Sequence, residues 1–80
     1  MRYYTLAAEQ SDANAQNNLG DCYYDGTGVA EDDAEAVRYY ILAAEQGHAH
    51  AQNNLGSCYE NGTGVVENEK ETVWYYMLAA

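Results

Sequence analysis

The chain has 80 residues and a formal net charge of −10, from thirteen acidic and three basic side chains. This length allows at most one domain, and a hydrophobic content of 48% argues against a wholly disordered chain. Nucleic acid and anionic membrane bind clustered Lys and Arg, so the composition excludes both as expected partners and favours a basic or neutral one, unless the charge serves solubility alone.

The first eleven residues predict a helix over 2–10 that forms half of a structural unit. They contain no long apolar core of the kind found in signal peptides, and no apolar run in the chain approaches transmembrane length. Cys22 and Cys58 are expected to be free and buried, because equivalent points of stacked helices lie too far apart for a disulfide. We therefore expect a cytoplasmic location.

Residues 12–25 predict a second helix. Ala15, Cys22 and Tyr23 fall within about 60° of Leu19 around a helical wheel and form an apolar stripe with it. The opposite side of the same helix is polar and carries Asn14, Asn17, Asp21, Tyr24 and Asp25. Gly26 is expected to end the helix, and Gly28 to provide a second sharp turn.

A third helix is predicted over 33–46, beginning after Asp32 in an approximate capping box with Glu35. Its apolar residues recur at helical spacing, at Ala36, Tyr39, Tyr40, Ala43 and Ala44. The doubled tyrosines Tyr39–Tyr40 and Tyr75–Tyr76 stand where such a helix must pack, so core positions are favoured over an aromatic ligand site.

The sequence then repeats itself after 36 residues, with 29 of 44 overlapping positions identical. The repetition predicts further helices over 49–61 and 68–80, giving five in an all-α array. Its units are a half repeat over 1–11, a repeat over 12–47 and a truncated repeat over 48–80. The last helix has no successor to cover it, which predicts fraying or self-association through Trp74, Met77 and Leu78.

Two blocks of residues in the first full unit resemble a known family. They are Ala15-x-x-x-Leu19-Gly20-x-x-Tyr23-x-x-Gly26-x-Gly28-Val29 and Ala36-x-x-Tyr39-Tyr40-x-x-Ala43-Ala44-x-x-Gly47, and the pattern is similar to the Sel-one-like repeat (SLR). The resemblance implies a tetratricopeptide-like α/α solenoid of about two and a half helix–turn–helix units. The chain departs from the family pattern at Glu35, where Lys is frequent, and at Tyr39, where Trp is frequent.

The resemblance also implies an adaptor or scaffold that binds a peptide-like segment on the concave face lined by the first helix of each unit. Over positions 13–25 the two units differ at only four places, all on the polar face of this helix. The resulting candidate partner-binding residues are Asn14, Asn17, Asp21, Tyr24, His50, Asn53, Ser57 and Glu60. Plain solvent exposure with drift between the repeats explains the same four differences.

Other chemistry has little support in the sequence. His48 and His50 are two residues apart, and no Cys-x-x-Cys or His-x-x-x-His spacing exists, so neither metal nor cofactor is expected. The glycine pair at Gly26 and Gly28 lacks the strand, helix and Lys of a phosphate loop. The Asn61-Gly62-Thr63 sequon is also an ordinary turn.

Catalysis is not expected either, although some bacterial members of the resembled family have been described as penicillin-binding or weakly β-lactamase-active. Such serine chemistry uses Ser-x-x-Lys, whereas Ser11 and Ser57 are followed three residues later by Asn14 and Glu60. The alternatives to an interaction module are a structural spacer without a ligand and, more remotely, a β-lactam-binding or hydrolysing enzyme. The sequence leaves the partner, the pathway, the oligomeric state and any flanking repeats unassigned.

Overall fold

The computed structural model describes residues 12–80, which form four α-helices and no strand. Their bounds are α1 Ala13–Asp25, α2 Asp33–Ala44, α3 Ala49–Asn61 and α4 Glu69–Ala79. The all-α prediction is confirmed for this part of the chain, with four helices where five were expected in the whole, and the helix predicted over 2–10 lies outside the described residues. Within residues 12–80 no helix is long and apolar enough to cross a membrane.

Each helix begins at a side chain that accepts a hydrogen bond from the first turn. The Asp12 carboxylate accepts from the Ala15 N–H at 3.0 Å and starts α1. Asp32 and Asn68 start α2 and α4 in the same way, at 3.1 Å each. In α3 the ring nitrogen Nδ1 of His48 replaces the oxygen acceptor. These caps satisfy amide groups that a helix leaves free at its start, which explains why the sequence located the helix starts well.

The first helix of each repeat ends at a glycine with a left-handed backbone. Gly26 has φ of 72° and Gly62 has φ of 68°, and their N–H groups bond to the carbonyls of Cys22 and Cys58. This confirms that these glycines end helices. The second helix of the first repeat is shorter than predicted, because Gln46 and Gly47 turn back onto the carbonyls of Ala43 and Ala44 instead of extending α2.

Helices pack in chain order, α1 on α2, α2 on α3 and α3 on α4. Leu19 and Leu55 are the largest fully buried side chains. The core between the two repeats is built mainly from small residues of α2 and α3, which let the helices approach closely, and it consists of Ala36, Val37, Tyr40, Ala43, Ala44, Ala51, Leu55 and Cys58.

The doubled tyrosines divide between core and surface. Tyr40 is buried, as predicted, whereas Tyr39, Tyr75 and Tyr76 are only partly buried. Tyr39 stacks on Tyr23 with ring centroids 5.8 Å apart, and Tyr75 makes the equivalent stack in the next repeat at 5.8 Å. The core prediction therefore needs correction for three of the four rings. Tyr39 and Tyr75 lie in tyrosine stacks at the side of their helix pairs, and Tyr76 packs on Gly56 without a later helix among the described residues to cover it.

Both cysteines are free, but only Cys58 is buried. Burial raises the pKa of the Cys58 thiol to about 11. Cys22 is partly exposed, which corrects the prediction that both are buried. The difference follows from the stacking, because Cys58 lies against α2 in the core between the repeats.

Candidate functional site

The structure brings three of the predicted partner-binding residues together in one groove. Asp21 and Tyr24 line it from α1, Ser57 lines it from α3, and Tyr40 of α2 contributes to its wall. Its volume is about 410 Å³. Tyr24 is 47% exposed, so an aromatic ring is available at the surface of an otherwise polar groove. The remaining lining residues are Asp25, Asn54, Cys58 and Thr63.

A second hollow continues the acidic side of this groove. It has a volume of about 330 Å³ and shares Tyr24, Asp25 and Thr63 with the first. Glu31 and Asp33 complete its lining. Because carboxylates recur along both hollows, the electrostatic potential there is negative.

Asn17 does not lie on an open face, contrary to the prediction. Its side chain is only 7% exposed, and its Oδ1 accepts a hydrogen bond from Asn54 Nδ2 at 3.0 Å. This bond joins the first helices of the two repeats, so α3 covers Asn17. The equivalent Asn53 is exposed, because no later helix among the described residues covers it.

Asn14 supports the start of the next repeat. Its Oδ1 lies 2.8 Å from His48 Nε2, while His48 Nδ1 accepts from the Ala51 N–H at 3.2 Å. The two bonds together require a neutral ring with its proton on Nε2. Asn14 therefore positions the N-cap of α3, and its exposed surface is secondary to that contact.

Asp21 has a structural partner as well as an open side. The Tyr40 hydroxyl donates to its Oδ1 at 2.5 Å across the α1–α2 interface. Burial, followed by this hydrogen bond, raises the pKa of Tyr40. The phenol therefore remains protonated at neutral pH and keeps one carboxylate oxygen of Asp21 engaged.

Tyr76 in the second repeat uses a different acceptor. Its hydroxyl donates to Glu60 Oε1 at 2.9 Å, and the equivalent of Asp21 is Ser57, whose hydroxyl accepts from Asn61 at 3.4 Å. Desolvation and the Glu60 bond raise the pKa of Tyr76. The acceptor has thus moved by one helical turn, from the position of Asp21 to the position equivalent to Tyr24.

This shift explains two of the four differences between the repeats without a ligand. The sequence analysis predicted that the differences Asp21/Ser57 and Tyr24/Glu60 mark positions that meet a partner. In the structure, the two changes together preserve a hydrogen bond from the tyrosine hydroxyl to a carboxylate. The sequence does show an acidic residue in each repeat at one of two positions that lie one helical turn apart, Asp21 in the first and Glu60 in the second. It can be recognised only when the tyrosine is known to face that turn.

The other predicted residues lie away from the groove between α1 and α3. His50 and Asn53 line a hollow of about 400 Å³ that also contains Tyr76 and the end of α4. Glu60 lines a further hollow of about 460 Å³ beside α4. Three of the eight residues therefore meet in the groove, and three others line two separate hollows. Asn14 and Asn17 instead bond to the next repeat.

In residues 12–80 no group of three or more His, Cys, Asp or Glu side chains is placed to hold a metal ion. The rings of His48 and His50 lie 6.0 Å apart, with an interplanar angle of 51°, and His48 already uses both nitrogens. Its polar and aromatic lining allows the groove between α1 and α3 to contribute hydrogen bonds, charge and an aromatic contact.

Solved structures with the same fold include a Sel1 repeat protein from Oxalobacter formigenes, which is 44% identical and has a TM-score of 0.96. The match covers 99% of this chain and 32% of that protein. A protective antigen present in uropathogenic Escherichia coli strains, c5321, displays an SLR fold, is 39% identical and has a TM-score of 0.95, over 96% of this chain and 16% of its own.

A third structure is the cysteine-rich protein B of Helicobacter pylori, 33% identical with a TM-score of 0.94. The match covers 98% of this chain and 59% of that one, so the chain spans less than two thirds of each of these proteins. No curated protein sequence matches the chain. The Sel1 repeat model matches residues 1–12, 13–48 and 49–80. The chain belongs to the Sel1 repeat family.

Proposed function

We propose that this chain is an adaptor or scaffold module that binds a peptide-like segment of another protein in the groove between α1 and α3. Protein–protein interaction is the usual role of Sel1 repeats, which are typically non-enzymatic scaffolds. The observation that carries the proposal is the groove of about 410 Å³ in which Asp21, Tyr24 and Ser57 meet.

The groove supplies the contacts that a peptide needs. The exposed Tyr24 ring provides rigid apolar area at a low cost in conformational entropy. The Ser57 hydroxyl and the open oxygen of Asp21 offer hydrogen-bonding groups to a peptide backbone or side chain. Recognition therefore depends on shape and hydrogen bonding, with no covalent step.

Charge favours a ligand with Lys or Arg side chains, or a neutral one. Asp21 and Asp25 lie in the groove, and Glu31 and Asp33 continue the acidic lining beside it. A guanidinium or ammonium group that reaches these carboxylates can also lie over the Tyr24 ring. We expect binding to weaken as ionic strength rises, because these groups are close to solvent.

Selection from a library of random linear peptides displayed on phage tests the proposal. We expect peptides enriched in Lys and Arg, and we expect Tyr24→Ala to weaken their binding by about tenfold or more. Trp74→Ala is the matched control, because Trp74 is another exposed aromatic residue and lies outside the groove. Asp25→Asn is expected to reduce the preference for basic peptides.

The alternative of a structural spacer is tested by the same selection. If no peptide is enriched above background, or if the selected peptides are insensitive to Tyr24→Ala, the groove is not the binding surface. Asn17→Ala is unsuitable for this purpose, since it removes a buried contact between the repeats. A change in binding for that variant would report altered stacking.

A further inference from the structure

The polar groups that line the groove between α1 and α3 divide into those already bonded and those still open. The Tyr40 hydroxyl donates to Asp21 Oδ1 at 2.5 Å. Asn54 Nδ2 donates out of the groove, to Asn17 Oδ1 at 3.0 Å. Among the described residues no hydrogen bond or ion pair reaches Asp21 Oδ2, Asn54 Oδ1 or the Asp25 carboxylate. Apart from hydroxyl and thiol groups, the open side-chain groups are therefore acceptors, and they suit a ligand group rich in donors.

The open acceptors lie beside an exposed aromatic ring. Tyr24 and Asp25 follow Asp21 by three and four residues, so the three side chains share one surface of α1. All three line the groove, and Tyr24 is 47% exposed. A planar cation placed over the Tyr24 ring therefore lies within reach of two carboxylates on the same helix.

The position of Asp25 in its helix is unfavourable for a carboxylate. Asp25 is the last residue of α1, and the last turn of this helix contains no basic residue. The carbonyl end of a helix carries partial negative charge, so a carboxylate there lowers stability unless a cation accompanies it. At the equivalent end of α3 the chain has the neutral Asn61. A bound cation would offset an electrostatic cost that the first repeat carries and the second does not.

The second repeat does not reproduce this arrangement. At the three equivalent positions it has Ser57, Glu60 and Asn61, which provide a single carboxylate and no ring. That carboxylate already accepts a hydrogen bond from the Tyr76 hydroxyl at 2.9 Å. Within residues 12–80, the combination of ring and open carboxylates therefore belongs to the first repeat.

The geometry favours a guanidinium group over an ammonium group. Guanidinium is planar, has five donors and no acceptor, pairs with carboxylates through two parallel hydrogen bonds, and stacks on aromatic rings. Ammonium is a compact, strongly hydrated point charge that satisfies one carboxylate well. A ring with carboxylates one helical turn apart offers more contacts to the planar cation.

We propose that the groove between α1 and α3 recognises an arginine side chain, with its guanidinium group stacked on Tyr24 and donating to Asp21 Oδ2 and to the Asp25 carboxylate. This inference rests on the proposed function, because the arginine reaches the groove as part of a bound peptide-like segment. Tyr40 is a positioning residue, since it holds Asp21 Oδ1 and leaves Oδ2 for the ligand. Asn54 Oδ1 is an acceptor for a remaining donor.

The probe is N-acetyl-arginine N-methylamide, titrated at millimolar concentration and constant low ionic strength into the full chain labelled with ¹⁵N. Two-dimensional amide NMR is expected to show saturable shifts at Asp21, Tyr24 and Asp25. We expect the arginine probe to bind about threefold or more tightly than the corresponding lysine compound. The citrulline compound keeps the shape without the charge and is expected to bind about tenfold more weakly than the arginine probe.

Variants of the chain separate a binding role of Asp25 from a structural one. Asp25→Asn is expected to weaken binding of the arginine probe by about threefold or more. It is also expected to raise the urea midpoint of unfolding, because it removes a carboxylate from the end of a helix. Glu67→Gln is the matched control, since it removes one negative charge at an exposed position outside the groove. It is expected to leave both the affinity and the midpoint unchanged.

Several results would overturn the assignment of arginine. Equal affinity for the arginine and lysine compounds would mean that the groove recognises only a point charge. Shifts that avoid the groove, or no saturable shift, would show that it does not bind guanidinium. A lower urea midpoint in Asp25→Asn, with the affinity for the arginine probe unchanged, would make Asp25 a structural residue.

The peptide selection described above distinguishes failure of this inference from failure of the proposed function. Selected peptides that depend on Tyr24 but contain no arginine would keep the groove as a peptide site and overturn the arginine assignment. If no peptide that depends on Tyr24 is selected while the arginine probe still binds in the groove, the arginine site stands and the peptide-binding function fails.

Discussion

The Tyr40 hydroxyl donates a 2.5 Å hydrogen bond to the Asp21 carboxylate, and this contact closes the pair formed by α1 and α2. The Tyr40 ring reaches Asp21 by crossing over Gly20, where a Cβ atom would lie 2.7 Å from two ring carbons. The ring and the hydroxyl therefore depend on neighbouring residues of one helix turn. Gly20 leaves room for the ring, and the Asp21 carboxylate accepts the hydrogen bond from its hydroxyl.

Removing the Tyr40 hydroxyl is expected to lower the free energy of unfolding by about 1 kcal/mol. The change Tyr40→Phe keeps the ring in the core and deletes only the bond to Asp21. The equivalent change Tyr76→Phe is expected to cost less, because its bond to Glu60 is exposed. Urea unfolding of both variants measures the two losses.

A double-mutant cycle with Asp21→Ala assigns the Tyr40 loss to the hydrogen bond. The two single changes are expected to cost more in sum than the double change. Additive losses would mean that Tyr40 and Asp21 stabilise the fold independently. Equal losses for Tyr40→Phe and Tyr76→Phe would contradict the expectation that the partly buried bond contributes more to stability than the exposed one.

Substitution of Gly20 by Ala sets two effects against each other. Ala favours a helix over Gly by about 1 kcal/mol. Overpacking against the buried Tyr40 ring costs about 1–3 kcal/mol, so Gly20→Ala is expected to be neutral or destabilising on balance. Gly56→Ala meets the Tyr76 ring at the same 2.7 Å, but that ring is partly exposed and free to move outward.

The expected outcome is that Gly56→Ala is more stable than Gly20→Ala by about 1 kcal/mol or more. Urea denaturation at equilibrium compares the two variants, and a fit of the slope shows whether either changes the surface exposed on unfolding. If Gly20→Ala proves the more stable of the two, the close packing of Tyr40 on Gly20 does not limit stability.

The N-cap of α3 depends on a histidine where α1 uses an aspartate. His48→Ala removes the acceptor for the Ala51 N–H and the contact with Asn14, so we expect a loss of about 1 kcal/mol in the free energy of unfolding. His48→Asp keeps an acceptor in the geometry that Asp12 has in α1, and most of the stability is expected to return. Thermal unfolding at neutral pH measures both variants.

If His48→Asp loses as much stability as His48→Ala, the contact between His48 and Asn14 contributes more than the cap. Asn14→Ala then provides the check, because it removes that contact while the bond from Ala51 to His48 remains possible. A loss in Asn14→Ala similar to that of the His48 variants would assign the stability to the contact between repeats.

Alkaline pH is expected to destabilise the fold through Cys58. Burial raises the pKa of its thiol from 9.0 to about 11, so the folded chain retains a proton that the unfolded chain loses. The contribution of the protonated Cys58 thiol to the free energy of unfolding is therefore fully present below pH 9. It is lost between pH 9 and 11, at about 1.4 kcal/mol per pH unit. The raised pKa of Tyr40 acts in the same direction at higher pH.

Urea unfolding at a series of pH values tests this dependence. Cys58→Ala is expected to flatten the fall in stability between pH 9 and 10, whatever its effect at neutral pH. Cys22→Ala is the matched control, since it leaves the Cys58 thiol in place. An unchanged slope in Cys58→Ala would show that the thiol is not responsible.

Helix positions were largely predictable, because caps and periodicity act over a few residues. Asp32 and Asn68 start helices where the sequence placed them, and Gly26 ends one. The predicted end of α2 was two residues too late, because the N–H groups of Gln46 and Gly47 bond to carbonyls of α2 only three residues earlier. Local chemistry therefore sets helix starts more exactly than the end of α2, where the left-handed Gly47 follows a tighter last turn.

The candidate site was predictable only in part. A helical wheel places Asn17 and Asp21 on the same polar side of α1, but it carries no information about the next repeat. Stacking covers Asn17 with Asn54 and leaves Asp21 beside the groove. The wheel also cannot show that Tyr40 and Tyr76 face that side, so a compensated carboxylate was interpreted as a ligand contact.

The sequence by itself determined the 36-residue repeat, its helices and the residues that pack within each unit, because these depend on periodicity and on short-range hydrogen bonds. Only the tertiary structure decided which polar residues remain open. A stacked unit covers one side of its predecessor, so identical side chains such as Val37 and Val73 differ in exposure. Position in the array, which no single helix encodes, therefore decides which surfaces are packed and which remain exposed.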